Sequence, residues 1–191
     1  MKIRTRFAAA AFALLVPAAA AVALLTPGSA QAELSQGALA PDFSTKGALA
    51  GKPISVNLKA LLAKGPVVLY FYPKAFTQGC TLEAHAFAEA TDDFAAAGAT
   101  VLGMSNDDLP TLQKFSTADC RDKFTVAIAT KDVIKAYNVS LKVAGVSTGL
   151  TKRTSYVISK SGKIVMVHSD MDYKDHVKLS LEAVRKLKAA R

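Results

Sequence analysis

Cysteine and histidine are scarce in this chain, two and three respectively in 191 residues. The cysteines, Cys80 and Cys120, stand alone, and His168 and His176 read as far apart, so no zinc-ligand spacing emerges. A glycine-rich loop that would cradle phosphates is also missing. We therefore expect neither a metal nor a bound cofactor. Lysines are scattered rather than clustered, which argues for a soluble basic surface and against nucleic-acid binding. Neither internal repeats nor low-complexity tracts occur beyond the first residues.

Acidic residues are missing before Glu33. Lys2, Arg4 and Arg6 precede an apolar stretch from Phe7 to Leu25, and Ala30-Gln31-Ala32 follows. A basic start, an apolar core and a small-residue A-x-A site describe a secretory signal peptide over residues 1–32, cut before Glu33. The rival is a retained anchor, because the 19 residues from Phe7 to Leu25 just suffice to span a bilayer. Pro17 and the A-x-A site favour cleavage. The expectation is an exported bacterial protein, periplasmic or secreted, with no stable membrane association afterwards. Without its three leader cations, the formal charge of +9 falls to +6. The remaining residues, 33–191, suffice for one domain with one core. Residues 33–39 read as a flexible tether within a Gly/Ala/Ser-rich stretch from Gln36 to Gly51.

Two short strands are expected at Ala40–Ser44 and Ile54–Leu58, around the turn Gly51-Lys52-Pro53, with a helical turn over Lys59–Lys64. Val67 to Tyr72 is apolar without alternation, as in a central strand covered on both faces. A helix from Cys80 to Ala96 buries Ala84, Phe87, Ala88, Thr91 and Phe94, leaving Glu83, Glu89, Asp92 and Asp93 outside. Next come a strand at Thr100–Met104 and a helix capped by Asp107 or Asp108, with Pro110 in its first turn, running to Asp119 or Cys120. A strand at Phe124–Ala129 and a short helix capped by Thr130 follow. Thr154–Ser159 and Lys163–His168 form an antiparallel hairpin. A last helix from Tyr173 buries Val177, Leu181, Val184 and Leu187. This order predicts an α/β fold with a mixed central sheet flanked by helices, an N-terminal hairpin and right-handed crossovers.

Cys80 is the residue of most interest. It follows the Val67–Tyr72 strand, at the carboxyl end where such sheets carry their active groups. It also falls in the first turn of a helix, facing free N–H groups and the positive end of the dipole. Both favour thiolate, the nucleophilic form. A simple stabilising disulfide with Cys120 is the competing reading in an exported chain. Thr77 fits a helix cap as well as a site hydroxyl. Glu83 reads equally as an ordinary first-turn acid. Lys152 and Arg153 cannot be told apart as the cation nearest the sulfur. His85, five residues beyond Cys80, does not face it.

Pro73, Thr77 and Cys80 match the P-x-x-x-T-x-x-C signature of the peroxiredoxins, the alkyl hydroperoxide reductase/thiol-specific antioxidant group. Phe71-Tyr72-Pro73-Lys74 and Thr77 to Ala84 resemble the bacterioferritin-comigratory, or PrxQ, branch. Ala40-Pro41-Asp42-Phe43 is similar to the family's opening strand, and Arg153 to Ile158 with Gly162-Lys163-Ile164 to its late arginine strand. The resemblance covers nearly the whole chain after the leader. It implies a thioredoxin-like fold and thiol-dependent reduction of hydrogen peroxide and organic hydroperoxides, without cofactor. It assigns Cys80 as peroxidatic nucleophile, Thr77 as a hydroxyl donor, Pro73 as a shield shaping the loop, Arg153 as the cation and Glu83 as the acid orienting it. The stretch Thr151-Lys152-Arg153-Thr154 lacks the proline that thioredoxin-type oxidoreductases carry there, and Glu83 stands where their C-x-x-C would place a second cysteine.

Many PrxQ-type proteins carry the resolving cysteine five residues after the peroxidatic one, where this chain has His85. Others carry it on the helix after the next strand, near Cys120. The resemblance thus implies resolution by Cys120 through an intramolecular disulfide, reopened by a thioredoxin-like or other dithiol reductant; a buried free thiol is the alternative. A monomer is expected. Two rival functions remain: a periplasmic redox sensor or scaffold with little turnover, and a structural domain with a permanent disulfide.

Overall fold

The computed structural model describes residues 32–190. The leader and its cleavage site therefore lie outside the described residues, apart from Ala32. Beginning with β1 (Ser44–Leu49) and β2 (Lys52–Asn57), the strands form a seven-stranded mixed sheet in the order β2-β1-β5-β4-β3-β8-β9. The interior strand β3 (Val67–Phe71) is parallel to the central β4 (Thr100–Ser105), which is parallel in turn to β5 (Thr125–Ile128). On the other side β8 (Thr154–Ile158) runs antiparallel to β3 and pairs with β9 (Ile164–Ser169).

Every residue of β3 is buried, as its unbroken apolar run requires. Alternate residues feed two cores, because successive strand side chains point to opposite faces. Val68 and Tyr70 join Phe87 of α2 (Gln78–Glu89), Phe94 of α3 (Thr91–Ala96), Phe115 of α4 (Leu109–Ala118) and Val184 of α6 (His176–Ala189). Val67, Leu69 and Phe71 join Leu58 and Leu62 of α1 (Leu58–Lys64), and Val133 and Ile134 of α5 (Lys131–Ala136). The helix starts follow local chemistry. Asn57, Asp108 and Thr130 each accept a backbone N–H of the helix they precede.

Several expectations are corrected. The opening hairpin pairs β1 (Ser44–Leu49) with β2 (Lys52–Asn57), so its first strand lies later than Ala40–Ser44. The turn is Ala50-Gly51, with φ of 49° and 72°. Two positive φ values are what a two-residue hairpin loop needs to match strand twist. Pro53 falls on β2, the sheet's edge, where a missing donor does no harm. The single helix expected from Cys80 to Ala96 is two, parted at Ala90, where the Thr91 hydroxyl donates to the Phe87 carbonyl at 2.9 Å. The last helix begins at His176 rather than Tyr173. An exposed hairpin, β6 (Ser140–Val143) and β7 (Val146–Thr151), was not anticipated at all. Its turn, Ala144-Gly145, again has two positive φ values.

Residues 33–39 are held rather than loose. The Gly37 N–H donates to the Ile164 carbonyl at 2.8 Å and the Ile164 N–H to Ala38 at 2.9 Å. Glu33 forms an ion pair with Lys152. The edge of β9 offers free backbone groups, and this segment occupies them.

Candidate active site

The chain leaves β3 through Tyr72 and Pro73 into a loop pinned by Asp107. One Asp107 carboxylate oxygen accepts from the Ala75 N–H and from the Ser105 hydroxyl, each at 2.8 Å. Phe76 takes a positive φ of 62° and the chain then enters α2. Thr77 is the N-cap residue by backbone position, yet its side chain makes no cap bond; the hydroxyl donates to the Lys74 carbonyl at 2.9 Å. Pro73 is partly buried and Thr77 exposed at the mouth of the loop. Cys80 is the third residue of α2, among the N–H groups no preceding turn can satisfy, and is only 2% exposed.

Arg153 reaches the sulfur from the far side of the sequence. It lies in the two-residue link between β7 and β8 and is 4% exposed. The link is fixed where it leaves β7: the Thr151 hydroxyl donates to the Tyr72 carbonyl and the Lys152 N–H to the Val139 carbonyl, each at 2.7 Å. Three partners then take the guanidinium. Nη2 lies 3.6 Å from Cys80 Sγ, Nε donates to the Met171 carbonyl at 3.0 Å, and Nη1 pairs with Glu83 Oε2. Burial works against the charge, but Glu83 and then Cys80 outweigh it and hold Arg153 above its ordinary value.

Glu83 is fully buried, against the expectation that it lies on the outer face of the helix. Nor is it a first-turn acid, because α2 begins at Gln78. Burial pushes its carboxyl up to about 8, against the pull of Arg153. Among the described residues its Oε1 has no hydrogen-bond partner. Lys152, the other candidate cation, turns away to Glu33.

Gly79, one residue before the cysteine, gives the cation room: a Cβ on it would stand 3.2 Å from Arg153 Nη2. The dismissed histidines also matter. His168 and His176 are far apart by chain spacing, yet their rings meet edge to face with centroids 4.5 Å apart. A turn between β9 and α6 brings them together, which spacing along the chain does not reveal.

Cys120 lies just past the end of α4 and is fully buried; both cysteines are free thiols. Burial pushes the Cys120 thiol well up, with Asp119 and Asp122 adding to the shift. Asp119 ties this turn to α2. It accepts from the Thr81 hydroxyl at 3.2 Å and lies 3.3 Å from His85 Nε2.

A central sheet delivering a buried cysteine and an arginine to one pocket defines a thioredoxin-fold thiol enzyme. Residues 36–167 match the AhpC/TSA family, and the chain belongs to it. It is thus a peroxiredoxin, a peroxidase of the bacterioferritin-comigratory and peroxiredoxin Q type. It is 32% identical over 151 residues to the putative peroxiredoxin bcp of Helicobacter pylori, covering 78% of this chain and 96% of the relative. Peroxiredoxin Q of Arabidopsis thaliana chloroplasts is 34% identical over 136 residues, covering 71% and 60%. Among solved structures, peroxidoxin BcpB from Mycobacterium tuberculosis superposes with a TM-score of 0.71 at 29% identity, over 81% of this chain and 98% of that one. The Xanthomonas campestris bacterioferritin comigratory protein, described by its alkyl peroxide reduction activity, gives 0.66 at 25%, over 75% and 91%.

Proposed function

We propose that Cys80 is the peroxidatic nucleophile, reducing hydrogen peroxide and organic hydroperoxides. The observation that carries this is Arg153 Nη2 at 3.6 Å from a sulfur that is almost wholly buried. A guanidinium fixed beside the sulfur can pair with the nucleophile and also hold a peroxide oxygen. The thiolate attacks one peroxide oxygen and the O–O bond breaks. Sulfur keeps that oxygen as sulfenic acid, and the other leaves as water or alcohol after taking a proton. Arg153 and the free N–H groups of the first turn stabilise the charge that develops on both oxygens. Thr77 lines the mouth with its hydroxyl, Pro73 shapes the loop, and Glu83 orients Arg153. Alkyl peroxide reduction by the Xanthomonas relative supports organic hydroperoxides as substrates.

Cys120 resolves the sulfenic acid. Its thiolate displaces hydroxide from the Cys80 sulfur, which leaves as water, and an intramolecular disulfide forms. An external dithiol of thioredoxin type then returns two electrons. Cys120 is buried and its thiol held protonated here, so the first turn of α2 and the Cys120 turn must open for the attack. Intact mass after one equivalent of peroxide tests both steps. Loss of two hydrogens is expected; gain of one oxygen would make Cys120 a bystander, and no change at all would remove Cys80 from the chemistry.

The protein works as an exported monomer. Export is supported by the basic start, the apolar stretch and the A-x-A site at Ala30–Ala32. A mature protein beginning at Glu33 is the mass expected from the native host, and an intact first residue would refute cleavage.

A further inference from the structure

We propose that His176 is a positioning residue for the reacting sulfur, holding Arg153 in place from behind through the turn that follows β9. His176 is the first residue of α6 and is fully buried. Its Nε2 lies 3.0 Å from the Asp170 carbonyl. A carbonyl only accepts, so Nε2 carries the proton. Nδ1 is then the acceptor, and the Ser155 hydroxyl, 2.8 Å away, donates to it. Burial holds the ring down to about 4, consistent with this single neutral tautomer near pH 7.

The chain of contacts runs directly to the sulfur. His176 fixes Asp170; the next residue, Met171, gives its carbonyl to Arg153 Nε; the same guanidinium meets Cys80 Sγ through Nη2. Ser155 belongs to β8, which Arg153 precedes by one residue, so ring and arginine are anchored to the same strand. The same Nδ1 also faces Glu83 Oε1 at 3.8 Å, the buried carboxyl oxygen that has no hydrogen bond among the described residues. The neutral ring thus closes the pocket behind the Glu83–Arg153 pair without adding a charge. Titratable and charged groups around it are Glu83 from α2, Arg153 from the β7–β8 link, His168 from β9 and Asp170 on its own turn. The turn itself is exposed, Met171 by 51%, and its own bonds, Asp172 N–H to Asp170 Oδ1 at 2.9 Å and Lys174 N–H to Asp172 Oδ1 at 3.3 Å, lie within it, so the ring is what ties it to β8.

The inference rests on Cys80 being the nucleophile, and its test does not depend on peroxide. In a Cys120→Ser background, the rate of Cys80 alkylation by iodoacetamide is followed against pH. His176→Phe should move the midpoint of that profile upward and lower the peroxide rate constant about tenfold, the scale of a small misplacement at a reacting centre. His176→Gln keeps an N–H for the Asp170 carbonyl and should recover most of both. With Arg153→Lys already in place, His176→Phe should add little, since the two act in series. An unmoved profile, or full additivity with Arg153→Lys, would overturn the proposal. Nitrogen NMR of the wild-type imidazole decides it without any variant at position 176. Nε2 should be protonated and Nδ1 bare, and both signals should shift when Cys80 is alkylated; the opposite tautomer or unmoved signals would refute it. A Cys80→Ser protein that still consumed peroxide would instead remove the catalytic reading.

Discussion

Gly79 and Arg153 meet closely: a Cβ on the glycine would lie 3.2 Å from Nη2. Such a contact is tight enough to push the guanidinium by a few tenths of an ångström, though not enough to break the fold. Gly79 is also a helical position, where alanine is favoured by up to about 1 kcal/mol. Gly79→Ala should therefore leave stability unchanged or raised while slowing peroxide reduction. Urea denaturation paired with stopped-flow kinetics checks this; equal losses in both would show the contact is only structural.

Arg153→Ala should reduce the peroxide rate by about 10²–10³-fold, the loss typical of a donor aimed at developing negative charge. Lys152→Ala removes a partly exposed pair with Glu33, of a kind worth no more than about 1 kcal/mol, and should leave the rate within about twofold. Single-turnover kinetics on the two variants would separate them. Equal effects would mean the wrong cation has been assigned.

Asp119→Asn loosens the tie between the Cys120 turn and α2, at both Thr81 and His85. It also removes one of the charges that keep the Cys120 thiol protonated. Both changes favour attack on an oxidised Cys80. Disulfide formation after peroxide should speed up several-fold with the first oxidation step unchanged, as followed by quenched-flow mass analysis. A slower step would mean that these contacts aim Cys120 instead of restraining it.

His176 has an ordinary value of 6.5 and is held down to about 4 by burial. Between those values the unfolded chain takes up the proton and the native one does not. Stability from this group is therefore present above 6.5 and lost as pH falls towards 4, by on the order of 3 kcal/mol. Glu83, pushed up to about 8, works in the opposite sense, and that term is common to wild type and His176→Gln. The stability gap between these two proteins should shrink on acidification from pH 7 to 4. A constant gap in denaturant titrations would place the proton elsewhere.

Much of this was legible in the chain because it is local. The β3 run, the caps Asp108 and Thr130, and a cysteine entering a helix after a central strand depend on neighbours within a turn or two. Helix periodicity failed at Glu83 for an identifiable reason. A lone acid belongs in water, and only an arginine seventy positions away makes its burial tolerable. The opening hairpin slipped because Pro53 looked like a turn residue, whereas an edge strand accepts it. The β6–β7 hairpin is largely exposed, so no buried alternating face announced it.

What the sequence determined by itself is the nucleophile's setting: an apolar strand, a turn and a helix start that together bring Cys80 to unsatisfied N–H groups. Those interactions act over a few residues and need no partner from elsewhere. Which cation meets the sulfur, and what holds it, was decided only by the tertiary structure, which gathers Arg153, Glu83 and His176 from three separate segments and turns Lys152 outward. The physical reason is that an ion's fate depends on its desolvation and its partner, and both are fixed only once distant segments pack.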